Sequence, residues 1–224
     1  MNFKNLQISN RELYTTFTMK LVPAKTPGFI KSLFPSFIWN VDTQKQELYL
    51  TFDDGPTPEI TPWVLEQLKF YNAKATFFCI GSNIKKYPEI FKAITDEGHA
   101  VGNHTYNHLK GWKHKTKAYL EDVSKTKTLI DSNLFRPPYG KLKNKQAKRL
   151  LQLGYKIIMW DVLSFDWKAS ISEEECFENI VNSAKKGSII VMHDSVKAKR
   201  NLKAVLPKVL NYYNDKRYTF KSIN

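Results

Sequence analysis

Cysteine is nearly missing from this 224-residue chain. Its two copies, Cys79 in an apolar strand-like run and Cys176 in a charged helix-like one, cannot build a disulfide framework. Long apolar runs are missing too. No segment approaches the roughly 20 residues a membrane-spanning helix needs, and residues 1–18 have no continuous apolar core of signal-peptide length. These absences lead to the expectation of a soluble chain without a secretion signal, cytoplasmic or held peripherally at the cell envelope, with Met19 as an alternative start. No repeat and no low-complexity tract occurs, which excludes solenoid and fibrous architectures. Acidic residues are scarce: 21 Asp and Glu stand against 35 Lys and Arg, a formal charge of +14 and a pI near 9.6. Such a balance favours an anionic neighbour, whether a cell-wall polymer, an acidic glycan, a membrane surface or nucleic acid, or else is a solvated lysine surface. No nucleic-acid motif is recognisable and the aromatics do not interleave with a basic stretch, so a specific nucleic-acid partner is not expected.

What is present is the composition of an ordinary globular domain, 42% hydrophobic and long enough for one well-buried core. Residues 1–45 are punctuated by Pro23, Pro27, Gly28 and Pro35 and carry an aromatic cluster of Phe29, Phe34, Phe37 and Trp39, which reads as an irregular arm packed on a domain spanning 46–224. From Glu47 onward, strand-like and helix-like patterns alternate. Strands are expected over 47–53, 74–80, 100–103, 134–136, 155–162, 188–192 and 218–223. Helices are expected over 59–71, 82–97 with Ser82 as cap, 115–131, 144–153, 172–186 and 201–213. Seven strands alternating with helices argue an α/β fold with a mostly parallel sheet.

The polar residues fall in a pattern on this map. Asp53-Asp54, His104, Arg136, Asp161 and His193-Asp194 each lie at or just past the C-terminal end of a strand, and in a parallel barrel those ends share the face where active sites sit. Leu48 to Phe52 is an apolar run that stops in two adjacent carboxylates and Gly55-Pro56. Two neighbouring acids repel, so a fold that keeps them together usually supplies a cation. His104 and His108 are four apart, which in a helical turn puts both imidazoles on one side. With one carboxylate they make the His₂Asp set of a catalytic zinc site with water in the open position. Arg136-Pro137-Pro138-Tyr139-Gly140 is a rigid turn whose Arg can hold a carboxylate. His193 ends a fully apolar strand, where it caps the strand or, oriented by an acid, donates a proton. His99 and His114 read as structural or solvated.

Thr51-Phe52-Asp53-Asp54-Gly55-Pro56, His104-Thr105-Tyr106-Asn107-His108, Arg136-Pro137-Pro138-Tyr139-Gly140, Asp166-Trp167 and Val191-Met192-His193 resemble, in order, the five motifs of the polysaccharide deacetylases, the NodB homology domain of carbohydrate esterase family 4. The resemblance spans roughly Leu48 to Asp194. It implies a distorted (β/α) barrel, a divalent metal that is usually zinc with cobalt or other ions as alternatives, and removal of N- or O-acetyl groups from sugar polymers such as peptidoglycan or chitin-like oligomers. Carried over by motif, Asp53 is the catalytic base with Arg136 as its partner, and Asp54, His104 and His108 are the metal ligands. Tyr139 offers a backbone N–H to the oxyanion, Trp167 and Val191 line the acetyl pocket, and His193 is the general acid, oriented by Asp166. Many members carry an acid where this chain has Leu163, and here Asp161 lies two residues earlier instead, which makes Asp161 the alternative partner of His193. The rival readings are a NodB-like hydrolase of another amide or ester, a metal-dependent phosphoesterase, which would normally show more carboxylates, and a basic binding protein. The last has only the net charge in its support.

Overall fold

The computed structural model describes residues 23–224. Of the expected arm, 1–22 lie outside the described residues. The eight strands are β1 (Glu47–Asp53), β2 (Thr76–Cys79), β3 (Ala100–Asn103), β4 (Leu134–Phe135), β5 (Lys156–Ile157), β6 (Val162–Leu163), β7 (Ile189–His193) and β8 (Thr219–Phe220). The helices are α1 (Gly28–Leu33), α2 (Ile60–Phe70), α3 (Gly81–Lys86), α4 (Pro88–Asp96), α5 (Thr116–Lys127), α6 (Asn144–Gln152), α7 (Glu173–Val181) and α8 (Lys199–Asp215). Every strand pairing is parallel, in the order β5-β4-β3-β2-β1-β7-β6, with β8 added at the start of β1. β1 is buried from Leu48 to Asp53 and β7 from Ile189 to Met192, which is why both read as continuous apolar runs instead of alternating. The main core lies between these strands and α2, α4, α7 and α8, and a second cluster around Phe135, Tyr119 and Leu150 lies under α5 and α6.

The sheet is curled almost shut. Laid flat, seven strands would hold β5 and β6 about 29 Å apart, yet residues 157 and 162 are five steps apart and cannot separate by more than about 18 Å. The single strand expected over 155–162 is therefore two short strands on opposite edges. One apolar run serves both edges, so its periodicity cannot announce the break.

The remaining gap is filled by the N-terminal arm. Ile38 N–H donates to Ile157 O at 2.8 Å and Ile38 O accepts from Met159 N–H at 2.7 Å on one edge. On the other, Thr26 N–H donates to Asp161 O and Leu163 N–H to Ala24 O, both at 2.8 Å. Lys25 and Lys31, the latter from α1, close on the buried Asp161, which also accepts from Ser188 Oγ.

Two further expectations are corrected. The helix over 82–97 is broken at Tyr87, whose extended φ of −132° precedes Pro88 at the first position of α4; proline disfavours a helical residue before it. Ser82 does not cap α3. Its own N–H and that of Gly81 donate to Tyr106 O and Thr105 O, so the loop after β3 takes the place of a cap.

Candidate active site

Parallel register brings the strand ends level. Asp53 lies opposite Phe78 of β2 and His193 of β7, Cys79 opposite Asn103, and Asn103 opposite Phe135. The next residues along, Asp54, His104 and Arg136, consequently leave the sheet on one face.

Arg136 is wholly buried beneath that face. Its Nη1 donates to Asp53 Oδ1 and to Thr51 Oγ1, each at 2.7 Å. Nη2 donates to Met159 O at 2.9 Å and Nε to Ile158 O at 3.3 Å. The guanidinium rests 4.1 Å over the Phe78 ring. Burial lowers its pKa, and the Asp53 carboxylate opposes that effect. A planar fork with four acceptors and one aromatic face holds Asp53 in one orientation, which a lysine in that place would not do.

Asp54 follows with φ of 80°, a left-handed conformation that carboxamide and carboxylate side chains tolerate best after glycine. It aims its carboxylate at the histidines: His108 Nε2 lies 3.1 Å and His104 Nε2 3.7 Å from Asp54 Oδ1. Ligand atoms of the three residues all lie within 4.8 Å of one another. The donor set, one carboxylate and two imidazoles converging with the cluster open on one side, fits a zinc-like divalent ion. Burial opposes ionisation of Asp54, but the His108 hydrogen bond and nearby imidazoles hold its carboxyl below the usual range. Burial pushes His104 down to about 4, which leaves it as the neutral imidazole that a metal requires. Its Nδ1 lies 2.8 Å from Arg136 O, which fixes the ring and presents Nε2 to the cluster.

The segment from His104 to His108 is not the helical turn its spacing suggests. Thr105 and His108 have φ of 63° and 53°. Side chains replace the helical bonds: Asp122 of α5 accepts from the N–H groups of Tyr106 and Asn107 and from the Asn107 amide, Thr105 Oγ1 accepts from Leu109 N–H, and Asn103 Oδ1 from Thr105 N–H. Spacing of four brings the imidazoles together through this loop instead.

Across the face, His193 Nδ1 lies 2.8 Å from Asp166 Oδ1, and His193 N–H donates to Asp166 Oδ2 at 2.7 Å. Burial disfavours the imidazolium, but the Asp166 carboxylate outweighs it, helped by Asp54 and Asp53, and pushes the pKa up to about 9. Asp161 does not reach His193; it is engaged by Lys25, Lys31 and Ser188. Trp167 stands edge-on to His193, ring centroids 4.7 Å apart. Val191 is buried beside it in an apolar cluster with Phe165 and Leu163. An acid at 163 would sit in that cluster under the arm, and leucine packs there.

Tyr139 has φ of 60°, its ring packs 4.7 Å from His108, and its turn is closed by Gly140 and Lys141 N–H groups donating to Pro137 O and Pro138 O. Asp194 is a residue whose role motif reasoning left unassigned. Fully buried, it accepts from Gly55 N–H at 3.0 Å and Thr61 Oγ1 at 2.5 Å and so ties the Asp53-Asp54 turn to the end of β7. Position 55 must be glycine, since a Cβ there would meet Asp194 Oδ2 at 2.0 Å. Beside the cluster an open groove of about 650 Å³ runs from Asp54 and His108 past Asn83 and Tyr87 to Glu59 and Lys199.

A curled parallel barrel that gathers carboxylates, imidazoles and a buried guanidinium at its C-terminal strand ends has the architecture of the barrel hydrolases. Within that class the sequence profile described as "Polysaccharide deacetylase" matches residues 40–158, and the chain belongs to this family. Two peptidoglycan-N-acetylglucosamine deacetylases of Bacillus cereus are similar. One is 38% identical over 157 residues, covering 67% of this chain and 57% of that protein; the other is 33% identical over 193 residues, covering 83% and 90%. This chain thus spans a little over half of the first relative and nearly all of the second. A crystal structure of a peptidoglycan N-acetylglucosamine deacetylase in complex with 4-naphthalen-1-yl-N-oxidanyl-benzamide is 32% identical with a TM-score of 0.81, covering 88% of this chain and 95% of that one. The α/β barrel is the fold of that neighbour.

Proposed function

We propose that this chain is a metal-dependent deacetylase of N-acetylated sugar polymers, with peptidoglycan-type glycan as the favoured substrate. One observation carries the reading: the Asp54-His104-His108 cluster and the His193–Asp166 pair flank Asp53 on a single row of strand ends, so a base stands between a metal-ligand set and an acid. The similarity to N-acetylglucosamine deacetylases supports the choice of substrate.

Asp54, His104 and His108 would hold the ion. When bound, it supplies Lewis acidity toward a water and the acetyl carbonyl. Asp53, kept oriented by Arg136, accepts the proton of the attacking water. The Tyr139 backbone N–H donates to the oxygen that gains charge. Trp167 and Val191 wall the acetyl methyl group. An amine departs poorly unless protonated as the C–N bond breaks, and His193, charged through neutral pH by its contact with Asp166, delivers that proton.

The test is acetate release from N-acetylglucosamine oligomers, peptidoglycan glycan strands and acetylated xylan, before and after chelation. Release from the N-acetylated polymers that chelation abolishes and added zinc or cobalt restores is the expected result. Release that survives chelation would overturn the metal assignment, and none from any N-acetylated polymer by metal-loaded protein would overturn the activity.

A further inference from the structure

The chain's positive charge is not spread evenly. Residues 106–156, which run from the histidine loop through α5, the Arg136 turn and α6 to β5, hold thirteen of the 35 Lys and Arg but only three of the 21 Asp and Glu, a net +10 out of +14. Arg136 is the buried one of the thirteen. This segment also carries the exposed aromatics nearest the metal-ligand cluster. Tyr139, packed on His108, is 58% exposed, and Trp112, four residues beyond His108, is 55% exposed. Four residues of chain reach no further than about 14 Å.

An exposed indole normally costs solvation and gains little, yet here the fold fixes it in place. Trp112 Nε1 donates to Leu142 O at 3.1 Å. Behind it the fully buried Gln146 donates to Gly111 O at 3.0 Å and accepts from Lys143 N–H at 2.9 Å, while Lys143 Nζ reaches His114 O at 2.7 Å. The loops after β3 and β4 are thereby stapled into one ledge. Two ammonium groups lie over its rings: Lys141 Nζ is 4.3 Å from the centre of Trp112 and Lys110 Nζ 5.5 Å from that of Tyr139. Among the described residues neither lysine has a carboxylate partner.

We infer that the Trp112–Tyr139 ledge, which adjoins the metal-ligand cluster where Tyr139 packs on His108, is a subsite for the acidic sugars of the polymer. A sugar bearing a carboxylate offers an apolar C–H face and an anionic edge, and the ledge offers rigid aromatic faces and unpaired ammonium groups within one small area. Neutral N-acetylglucosamine oligomers satisfy only the rings. The proposal rests on the deacetylase reading and deepens it: the enzyme is built to select a carboxylated glycan over a chitin-like one.

The experiment uses the whole chain and a matched pair of polymers: peptide-free peptidoglycan glycan strands, whose lactyl groups carry carboxylates, and the same strands with those carboxylates capped as methylamides. Co-sedimentation reads binding and acetate release is followed in the same tubes. The expected result is preferential binding of the charged strands that declines with salt. A Lys110→Gln, Lys141→Gln double variant should lose about three- to tenfold more affinity for the charged strands than for the capped ones, and Trp112→Ala should weaken both, with unchanged circular dichroism in each case. Equal affinity of the parent for the two polymers, or a lysine variant that loses both alike, would overturn the subsite. Absence of acetate from both polymers would instead strike the deacetylase reading while the binding ratio still judges the ledge.

Discussion

Asp53 and Asp54 are neighbours in sequence with opposite surroundings. The first points from a strand onto a buried guanidinium; the second, turned by its positive φ, faces two imidazoles. Sharing one positive partner would have forced one of the two to take up a proton. Arg136 is the residue that separates them, and Arg136→Lys should cost about 3 kcal/mol, read as a fall in urea midpoint, because one ammonium cannot serve Asp53, Thr51, Ile158 O and Met159 O at once. An unchanged midpoint would contradict the role. The acid side yields a pH dependence. His193 has its pKa raised to about 9, so it stays protonated up to that pH and kcat should fall as pH rises through it. In Asp166→Asn the opposing carboxylate is gone while burial remains, so the alkaline limb should move to neutral pH or below; a limb that stays near its parent position would remove His193 as the acid. Most of these groups were legible as residue types at strand ends. Asp194 and Thr51 were not singled out for a role, because a buried carboxylate that accepts a backbone N–H leaves no spacing signature.

The loop that carries the two histidines shows where pattern reading ends. Spacing of four suggested a helical turn, and the turn is made instead by side-chain acceptors, chief among them Asp122 on α5, a residue remote in sequence that nothing in the motif announces. Asp122→Ala would leave two backbone donors and one amide without their acceptor, each worth about 1–3 kcal/mol if buried. The histidines should then drift relative to Asp54, and zinc affinity in a chelator competition should fall about 10- to 100-fold, the usual scale for losing an outer-sphere support. Full affinity in a folded Asp122→Ala protein would show that the loop needs no such brace. The break between α3 and α4 is written in Pro88, but apolar spacing continues across it and suggests a single helix.

At the scale of the whole molecule, the barrel is a sheet with a seam and the N-terminal arm is what closes it. The alternation of strands and helices is enough to expect a mostly parallel sheet, and its closure into a barrel is what the family resemblance implies. The seam was hidden, because residues 155–162 read as one apolar strand and the segment filling the gap reads as irregular. Asp161 pins the arm. Burial alone would raise its pKa, but Lys25, Lys31 and Ser188 outweigh that and lower it below the ordinary 3.8. A carboxyl with a depressed folded pKa stabilises above its unfolded value and loses that contribution as pH falls, so the stability gap between the parent and Asp161→Asn should shrink between about pH 6 and pH 3. Denaturant midpoints at the two pH values check it, and a gap independent of pH would place the clamp's contribution elsewhere. Closure also reaches the chemistry: Ile38 pairs with the segment just past β5 whose Ile158 and Met159 carbonyls hold Arg136.

The proposed function turns on Asp53 as a base beside a metal ion that Asp54, His104 and His108 would hold. The most direct measurement is acetate release from peptidoglycan glycan strands by Asp53→Asn and the parent protein at matched, measured zinc content. The account expects the variant to keep its metal and lose about 10²- to 10⁴-fold in turnover. A variant that releases acetate within a few-fold of the parent, or that loses its metal along with its activity, would contradict the division of labour between the two carboxylates.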